Sequence, residues 1–378
     1  MLSTALHAVG PDNQRPPLTH GLHSYAARMP WAMARALVRG FAQHGQRILD
    51  PFCGSGTTLL EAKLRGCHAI GTDINPLALR ISEARCTPLG RGTRQRLAQA
   101  STRVVRRTQG WIQDRHYIDS PLEASERRWY APHTLRELAC LHAAIQQESP
   151  RDQRLLLLML SAIVTKFSKQ RSDTRTHTVT KTLRKGLPTE FWARKVHELI
   201  QAHQQLSRAL PSQHHAVRCT QDDACTLASL PDNHAVDCII TSPPYGGTYN
   251  YSDHHARRYP WLGIDTRDLA QQEIGARRDL NKGDASHHRI QRTWDEQLLA
   301  SLQAMHRVLI PRGWAILVLG DAQLSKQRMP ADQQLRRLAP QAGFEFVDSV
   351  SATRADWTGH RQARWEHIIA LKSGCIHS

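Results

Sequence analysis

The sequence contains no regular spacing of cysteines, no long hydrophobic run and no export signal. Its eight cysteines, among 378 residues, form no Cys-x-x-Cys pair and no regular spacing, so neither a disulfide framework nor a structural zinc site is indicated. The longest apolar run, residues 155–164, is interrupted by Ser161 and is about half of the roughly 20 residues that a membrane-spanning helix needs. The N-terminus lacks the basic start and apolar stretch of a signal peptide. We therefore expect reduced thiols, no metal, no membrane contact and a cytoplasmic location.

Acidic residues are also scarce relative to basic ones. The 33 Asp and Glu against 50 Lys and Arg leave a net charge of +17 and a pI near 10.0. Residues 91–210 contain 22 Lys and Arg but 10 Asp and Glu, so +12 of this charge lies in under a third of the chain. Such an excess favours a polyanionic partner, nucleic acid first, over an acidic metabolite. With 40% hydrophobic residues, the chain has enough apolar material for a core, which excludes disorder throughout.

The order of predicted elements indicates an α/β protein with a helical insert. Buried strands are predicted at residues 47–50, 69–73, 216–219, 236–240, 314–319, 344–347 and 367–371, with helices between them. This alternation predicts a doubly wound, mostly parallel sheet covered on both faces. We expect a loose leader at residues 1–20, an α/β domain formed by residues 21–90 and 215–378, and a basic helical insert at residues 91–214.

The first motif is a glycine turn between a strand and a helix. The stretch Asp-Pro-Phe-Cys-Gly-Ser-Gly at residues 50–56 would let a ligand approach backbone N–H groups at a helix start. Leu59 follows where a dinucleotide fingerprint would continue, and no Walker lysine is present, so nicotinamide and phosphate binding are disfavoured. Asp73 ends the next strand, where a carboxylate can bind both hydroxyls of a ribose. An adenosine-containing cofactor is indicated; the alternative is a capping turn with a solvated aspartate.

The second motif is Ser-Pro-Pro-Tyr at residues 242–245, directly after a buried strand. The two prolines cannot continue the strand, and they hold the Ser242 hydroxyl and the Pro243 carbonyl so that both can accept hydrogen bonds from one amino group. Tyr245 offers a ring on which a flat heterocycle can stack. The alternative is an ordinary proline turn with a surface tyrosine. The position of the tetrapeptide at the carboxyl end of a strand favours a ligand-binding site.

The two motifs, in this order, resemble the signature of S-adenosylmethionine-dependent amino-methyltransferases, chiefly the DNA cytosine-N4 and adenine-N6 group. Residues 23–30, 259–263 and 273–278 are similar to one bacterial branch of that group. The resemblance implies a Rossmann-like methyltransferase sheet with a C-terminal antiparallel strand, and S-adenosylmethionine as the cofactor. It implies cofactor-binding roles for Tyr25, Asp50, Phe52, Gly54, Gly56, Asp73 and Asp223, with Asp222 as the alternative to Asp223, and catalytic roles for Ser242, Pro243, Pro244 and Tyr245.

The substrate implied by the resemblance is DNA, with RNA as an alternative and a cognate restriction endonuclease as a possible partner. Serine at the head of the tetrapeptide is typical of cytosine-N4 enzymes, whereas aspartate or asparagine is commoner in adenine-N6 enzymes. A tRNA guanine-N2 methyltransferase and a non-catalytic nucleic-acid-binding scaffold are the rival interpretations. The charge and length of the insert predict target recognition, with phosphate contacts from Lys166, Lys169, Arg171, Arg175, Lys181, Arg184 and Lys185. In family members this region usually follows the third strand, whereas here it precedes that strand.

Overall fold

A computed structural model describes residues 1–8, 16–172, 175–232, 235–280, 287–324, 327–354 and 364–374 of the protein. In chain order, the strands of these residues are β1 (Arg47–Asp50), β2 (His68–Asp73), β3 (Gln170–Ser172), β4 (Arg175–Thr178), β5 (Arg218–Gln221), β6 (Val236–Thr241), β7 (Leu309–Gly320), β8 (Ala322–Leu324), β9 (Gln327–Met329), β10 (Phe344–Arg354) and β11 (Arg364–Ser373). Seven of them form the central sheet, whereas β3 with β4 and β8 with β9 form two small ribbons.

The central sheet is mostly parallel and has the order β10-β11-β7-β6-β1-β2-β5. Strands β7, β6, β1, β2 and β5 pair in parallel, whereas β11 is antiparallel to both of its neighbours. The predicted α/β fold with a C-terminal antiparallel strand is therefore confirmed. All seven predicted strands form, although β5 begins two residues later than expected and β7 begins five residues earlier.

The helices lie mainly on the two faces of this sheet and in the insert. They are α1 (Leu2–His7), α2 (Trp31–Phe41), α3 (Thr57–Leu64), α4 (Pro76–Cys86), α5 (Arg91–Gln113), α6 (Ala124–Arg127), α7 (Pro132–Gln146), α8 (Pro150–Phe167), α9 (Leu187–Ala209), α10 (Tyr251–His255), α11 (Tyr259–Leu262), α12 (Leu269–Gln272), α13 (Arg277–Leu280), α14 (His287–Val308) and α15 (Ala331–Leu338). In the described part of the chain, no helix is both long and apolar enough to cross a bilayer.

Along the buried strands, side chains point alternately to the two layers of helices that cover the sheet. Ile48 of β1 and Ile240 of β6 pack with α1, α2 and α3, whereas Leu49 and Ile239 pack with α14 and α15. Because successive side chains of a strand point to opposite faces, a strand that is apolar at every position needs cover on both sides. The two cores thus account for the continuous apolar runs seen in the sequence.

The helices of the insert share a hydrophobic core with parts of the α/β domain, including Leu77 and Ile81 of α4. Helices α5, α7, α8 and α9 bury residues such as Leu97, Leu141, Met159 and Trp192 against one another. The same core includes Trp261 of α11, which lies beyond the second motif in sequence. The insert is thus helical, as expected, and it packs against a segment that belongs to the α/β domain.

The N-terminal leader differs from the prediction of a loose segment. Residues 2–7 form α1, and Leu2, Ala5 and Leu6 are buried in the core shared with α2. These three apolar residues lie at helical spacing, so one face of this short helix can be covered. Thr19 and His20 are also buried, in a short 3₁₀ helix at Leu18–Gly21, whereas residues 9–15 of the predicted loose segment lie outside the described residues.

Candidate active site

The carboxyl ends of β1 and β6 bring the two motifs together. These strands are paired in parallel, with Ile48 opposite Cys238 and Leu49 opposite Ile239. At their ends, the Thr241 hydroxyl donates a hydrogen bond of 2.6 Å to the carboxylate of Asp50. The first residue of the glycine motif therefore contacts the residue that precedes Ser-Pro-Pro-Tyr, although 191 positions separate them. This is the edge of the sheet where doubly wound proteins bind their ligands.

An open pocket lies at this edge, with about 1030 Å³ of free space that includes part of the adjoining solvent. It is lined by nearly all of the predicted site residues of the α/β domain, namely Tyr25, Asp50, Phe52, Gly54, Asp73, Asp223, Ser242, Pro243, Pro244 and Tyr245, together with Asp222. Gly56 is the exception. It is the N-cap of α3, and it turns away from the pocket toward Ser82 of α4.

Both glycines of the turn are needed for its shape. Gly54 and Gly56 have positive φ angles of 48° and 75°, which residues with a side chain rarely adopt. A Cβ atom on Gly56 would lie 2.7 Å from Ser82 Oγ, and one on Gly54 would lie 3.2 Å from a ring carbon of Tyr25. Gly56 therefore shapes the turn, whereas Gly54 leaves its backbone open to the pocket. The glycine turn therefore suits a ligand that approaches its main chain closely.

Asp73 is held at the end of β2 by two main-chain donors. Its carboxylate oxygens accept hydrogen bonds from Gly54 N at 2.9 Å and from Asn75 N at 2.8 Å. Burial raises the pKa of Asp73 to about 6, although both hydrogen bonds oppose the rise. Each oxygen retains a lone pair for a further donor, so a ribose hydroxyl pair is compatible with this arrangement.

Asp222 and Asp223 follow β5 and differ in their main-chain contacts. Asp222 accepts hydrogen bonds on both oxygens, from Asp223 N at 2.8 Å and from Ser229 N at 2.8 Å. Asp223 uses Oδ1 for Cys225 N at 2.8 Å. Both carboxylates line the pocket. The adenine contact assigned to Asp223 stays a prediction.

Tyr245 is fixed more tightly than the sequence indicated. Its hydroxyl donates a 2.9 Å hydrogen bond to Glu366 of β11. Its main-chain N–H donates to the hydroxyl of Tyr251 at 3.1 Å. Sequence reasoning missed Glu366, because the contact joins residues 121 positions apart and no local pattern marks it.

The loop that follows the second motif is tied to residues 273–278. Gly247 N donates to the Gly275 carbonyl at 2.9 Å, and Arg277 N donates to the Tyr249 carbonyl at 2.9 Å. The buried carboxylate of Glu273 accepts from the main chain of Tyr251 and from the Ser252 hydroxyl. Glu273 also lines the pocket, and the sequence had marked this segment only by resemblance.

The insert reaches the pocket wall through α8. Ser161 of α8 lies 2.9 Å from His23 Nε2, and its carbonyl accepts a 3.2 Å hydrogen bond from the fully buried Arg258. His23 and Arg258 flank Tyr25: Arg258 also donates to Ser24, and Tyr25 stacks on His255 with ring centroids 4.4 Å apart. A helix of the insert is thus connected to the residues that face the cofactor turn.

The predicted phosphate contacts of the insert are not equivalent. Arg184 forms an exposed ion pair with Glu190 at 2.5 Å. The Lys181 ammonium donates to the main-chain carbonyls of Lys166 at 3.0 Å and Gln170 at 2.7 Å. Of the other predicted contacts, Lys166, Arg171 and Lys185 are exposed and Lys169 is half-buried, whereas the Arg175 side chain lies outside the described residues. Two of the predicted phosphate contacts, Arg184 and Lys181, therefore already bind groups within the protein.

Comparisons with known proteins find similar DNA methyltransferases. Residues 7–84 match the family of DNA methylases described as N6_N4_Mtase. The type II methyltransferase M.MvaI of Kocuria varians is 24% identical over 70% of this chain and 63% of its own length. M.BsoBI of Geobacillus stearothermophilus is 27% identical over 61% of this chain and 50% of its own length. The chain thus spans between half and two thirds of the length of these two relatives.

A solved structure of an S-adenosylmethionine-dependent methyltransferase from Methanosarcina mazei is also similar. It is 11% identical, with a TM-score of 0.37, and the likeness covers 89% of this chain and 97% of that one. The fold assignment therefore rests on the strand order. The sequence matches confirm the resemblance to S-adenosylmethionine-dependent DNA amino-methyltransferases of the cytosine-N4 and adenine-N6 group. They also confirm S-adenosylmethionine as the cofactor. This cofactor fits the glycine turn beside Asp73.

Proposed function

We propose that the protein transfers a methyl group from S-adenosylmethionine to an exocyclic amino group of a DNA base, specifically cytosine N4. The observation that supports this most directly is the 2.6 Å hydrogen bond between Thr241 and Asp50, because it joins the cofactor turn to the Ser-Pro-Pro-Tyr segment. Both motifs line one pocket, so a methyl donor and a base can meet there. The cytoplasmic location predicted from the sequence belongs to this proposal.

The chemistry requires the base nitrogen to become a better nucleophile. The lone pair of an exocyclic amine is delocalised into the ring, and hydrogen bonds from its N–H groups to Ser242 Oγ and the Pro243 carbonyl favour a pyramidal nitrogen. Bound S-adenosylmethionine supplies a methyl group on a positively charged sulfur. Transfer would join this carbon to the base nitrogen and leave the sulfur as a neutral thioether, and the methylated amine would lose one proton to water. Ser242 and Pro243 orient the nitrogen for this in-line displacement, which requires no strong general base.

Duplex DNA would have to present its base outside the helix. Flipping a base costs a few kcal/mol, and the ring of Tyr245 at the pocket edge offers a stacking surface that offsets part of this cost. The loop at residues 246–251, held by residues 273–278, forms the adjoining wall. The exposed basic residues of the insert would contact phosphates, and α8 connects that insert to the wall around Tyr25.

Cytosine N4 is favoured over the alternatives by residue type and by the extent of the matches. Ser242 heads the tetrapeptide, as is typical of cytosine-N4 enzymes, and adenine N6 is the second candidate. A tRNA (guanine(10)-N2)-dimethyltransferase is 44% identical to this chain, but over only 14% of it. The relatives that match 60% of the chain or more are type II methyltransferases, which supports DNA as the substrate and a restriction endonuclease as a possible partner.

Methyl transfer from radiolabelled S-adenosylmethionine to DNA or tRNA, followed by nucleoside mass spectrometry, tests the proposal. We expect N4-methylcytosine in DNA, whereas cofactor binding without transfer to either nucleic acid would contradict it. Ser242→Ala should lower kcat about 100-fold with little change in cofactor affinity, because it removes an acceptor that acts on the amine. Asp73→Ala should instead weaken cofactor binding. The reverse pattern would refute these two roles.

A further inference from the structure

A buried arginine ties together three segments beside the pocket. Arg258, between α10 and α11, is fully buried. Its Nε donates a hydrogen bond to the Ser161 carbonyl of α8 at 3.2 Å, its Nη1 donates to the His254 carbonyl of α10 at 3.1 Å, and its Nη2 donates to Ser24 Oγ at 2.9 Å. Burying a guanidinium is costly unless its N–H groups find acceptors. The insert, α10 and the N-terminal segment are therefore held together at one side chain.

The same guanidinium fixes the ring of His255. Arg258 Nη1 lies 3.2 Å from His255 Nδ1. Because an arginine can only donate, Nδ1 must accept this hydrogen bond and carries no proton. Burial, followed by the charge of Arg258, lowers the pKa of His255 well below its usual value, so the imidazole stays neutral. The arginine thus sets the orientation of this ring.

Tyr25 lies between the two groups that Arg258 holds. It follows Ser24 directly in the chain, and its ring stacks on His255 with ring centroids 4.4 Å apart and 26° between the ring planes. A Cβ atom on Gly54 would lie 3.2 Å from Tyr25 Cε1, so the tyrosine ring packs against the glycine turn. Tyr25 and Gly54 both line the pocket, whereas Arg258 is not among the described residues that line it. The contacts of Arg258 thus reach the pocket through Tyr25.

We propose that Arg258 is a positioning residue which holds Tyr25 against the glycine turn and thereby strengthens cofactor binding. It acts through Ser24 and His255. The inference rests on the cofactor role of Tyr25 within the proposed function and extends that role to a residue outside the pocket. Without the guanidinium, the Tyr25 ring loses the support of its chain neighbour and of its stacking partner, and it is free to move away from Gly54. The groups that orient the target amine belong to the second motif, so the rate at saturating cofactor does not depend on Arg258.

Calorimetric titration with S-adenosylhomocysteine tests this role, because it measures affinity for the cofactor site without methyl transfer. Arg258→Lys should raise the Kd about 10-fold, since one ammonium cannot replace the guanidinium toward both Ser24 and His255. Ser24→Ala should raise the Kd about 3- to 10-fold, because the acceptor for Nη2 is lost, whereas Ser24→Thr keeps a hydroxyl and should stay within about twofold. In all three variants, kcat at saturating S-adenosylmethionine should change less than about threefold.

A double variant and a matched control separate this role from general packing. Tyr25→Ala should weaken binding by itself, and adding Arg258→Lys should weaken it no further, because both changes act through the same ring. Arg80→Lys is the control: Arg80 Nη1 donates to the Leu262 carbonyl at 2.9 Å, at the opposite end of α11 from Arg258, and the Kd of this variant should be unchanged. Thermal unfolding of each variant shows whether the fold is retained; if Arg258→Lys unfolds, the two Ser24 variants decide.

An unchanged Kd in Arg258→Lys or in Ser24→Ala would overturn the proposal. Losses of affinity that multiply in the double variant would do the same, since Arg258 would then act independently of Tyr25. A Ser24→Thr variant as weak as Ser24→Ala would also overturn it, as would variants that lower kcat at saturating cofactor and leave the Kd unchanged. Failure of the proposed function would look different, because the wild-type protein would then bind S-adenosylhomocysteine but methylate neither DNA nor tRNA.

Discussion

Replacing Asp50 by asparagine should stabilise the protein at neutral pH and weaken its hold on the cofactor. Asp50 is 4% exposed, and its Oδ1 accepts hydrogen bonds from Thr241 Oγ1 at 2.6 Å and Phe52 N at 3.2 Å. Asparagine can keep both bonds through its carbonyl oxygen. The substitution therefore removes a buried charge and leaves the hydrogen bonds in place.

The magnitude follows from the pKa of this carboxyl. Burial raises the pKa of Asp50 from 3.8 to about 6, against the effect of its hydrogen bonds from Thr241 and Phe52. A difference of about 2 units, at about 1.4 kcal/mol each, makes the native carboxylate less stable by roughly 3 kcal/mol. The unfolded chain releases this proton near its ordinary pKa, whereas the native state holds it until about pH 6. The contribution of Asp50 to the free energy of unfolding therefore falls between about pH 4 and 6 and is flat above.

Urea denaturation of the wild-type protein and Asp50→Asn from pH 4 to pH 8 measures this effect. The two free energies of unfolding should be similar near pH 4, and the variant should be more stable by roughly 2–3 kcal/mol at pH 8. Asp73, whose pKa is also about 6, titrates in both proteins and largely cancels in the difference. Asp114→Asn, an exposed aspartate after α5, is the control and should stay within about 0.5 kcal/mol at every pH.

Cofactor binding provides the second half of this experiment. S-adenosylmethionine carries a positive sulfonium, whereas S-adenosylhomocysteine has a neutral sulfur, so the negative charge of Asp50 favours the former. Calorimetric titration should show that Asp50→Asn loses affinity mainly for S-adenosylmethionine. Parallel stability curves from pH 4 to pH 8, or a variant less stable than wild type at pH 8, would refute the reasoning.

Two further predictions concern the turn and the insert. Gly56→Ala should cost about 1–3 kcal/mol in unfolding free energy and weaken cofactor binding, because its Cβ would lie 2.7 Å from Ser82 Oγ at a φ of 75°. Gly92→Ala, in α5 with open space around it, should not destabilise the protein in thermal unfolding and should gain up to about 1 kcal/mol from the better helix former. Arg171→Ala should weaken DNA binding and lower the salt dependence measured by fluorescence anisotropy by about one ion, whereas the paired Arg184→Ala should change less. Equal losses of DNA affinity in Arg171→Ala and Arg184→Ala would contradict this prediction.

Much of the site was predictable because its signals are local. The positive φ angles of Gly54 and Gly56 depend on residue type within one turn, and the strand at residues 236–240 is apolar at nearly every position. The order of elements then placed both motifs at carboxyl ends of parallel strands. Leader residues 2–7 were missed because three buried residues on one turn of helix are too short a pattern to stand out.

The sequence by itself determined which segments form strands, where the chain turns and which side chains can accept hydrogen bonds, since these follow from residue type and short spacing. Only the tertiary structure decided that Thr241 meets Asp50 and that Tyr245 meets Glu366, contacts 191 and 121 positions apart. It also decided that Arg184 is paired with Glu190, so that its charge is shared within the protein. Contacts between residues that are distant in sequence depend on strand order and packing, and the residues next to each partner in the chain do not specify either.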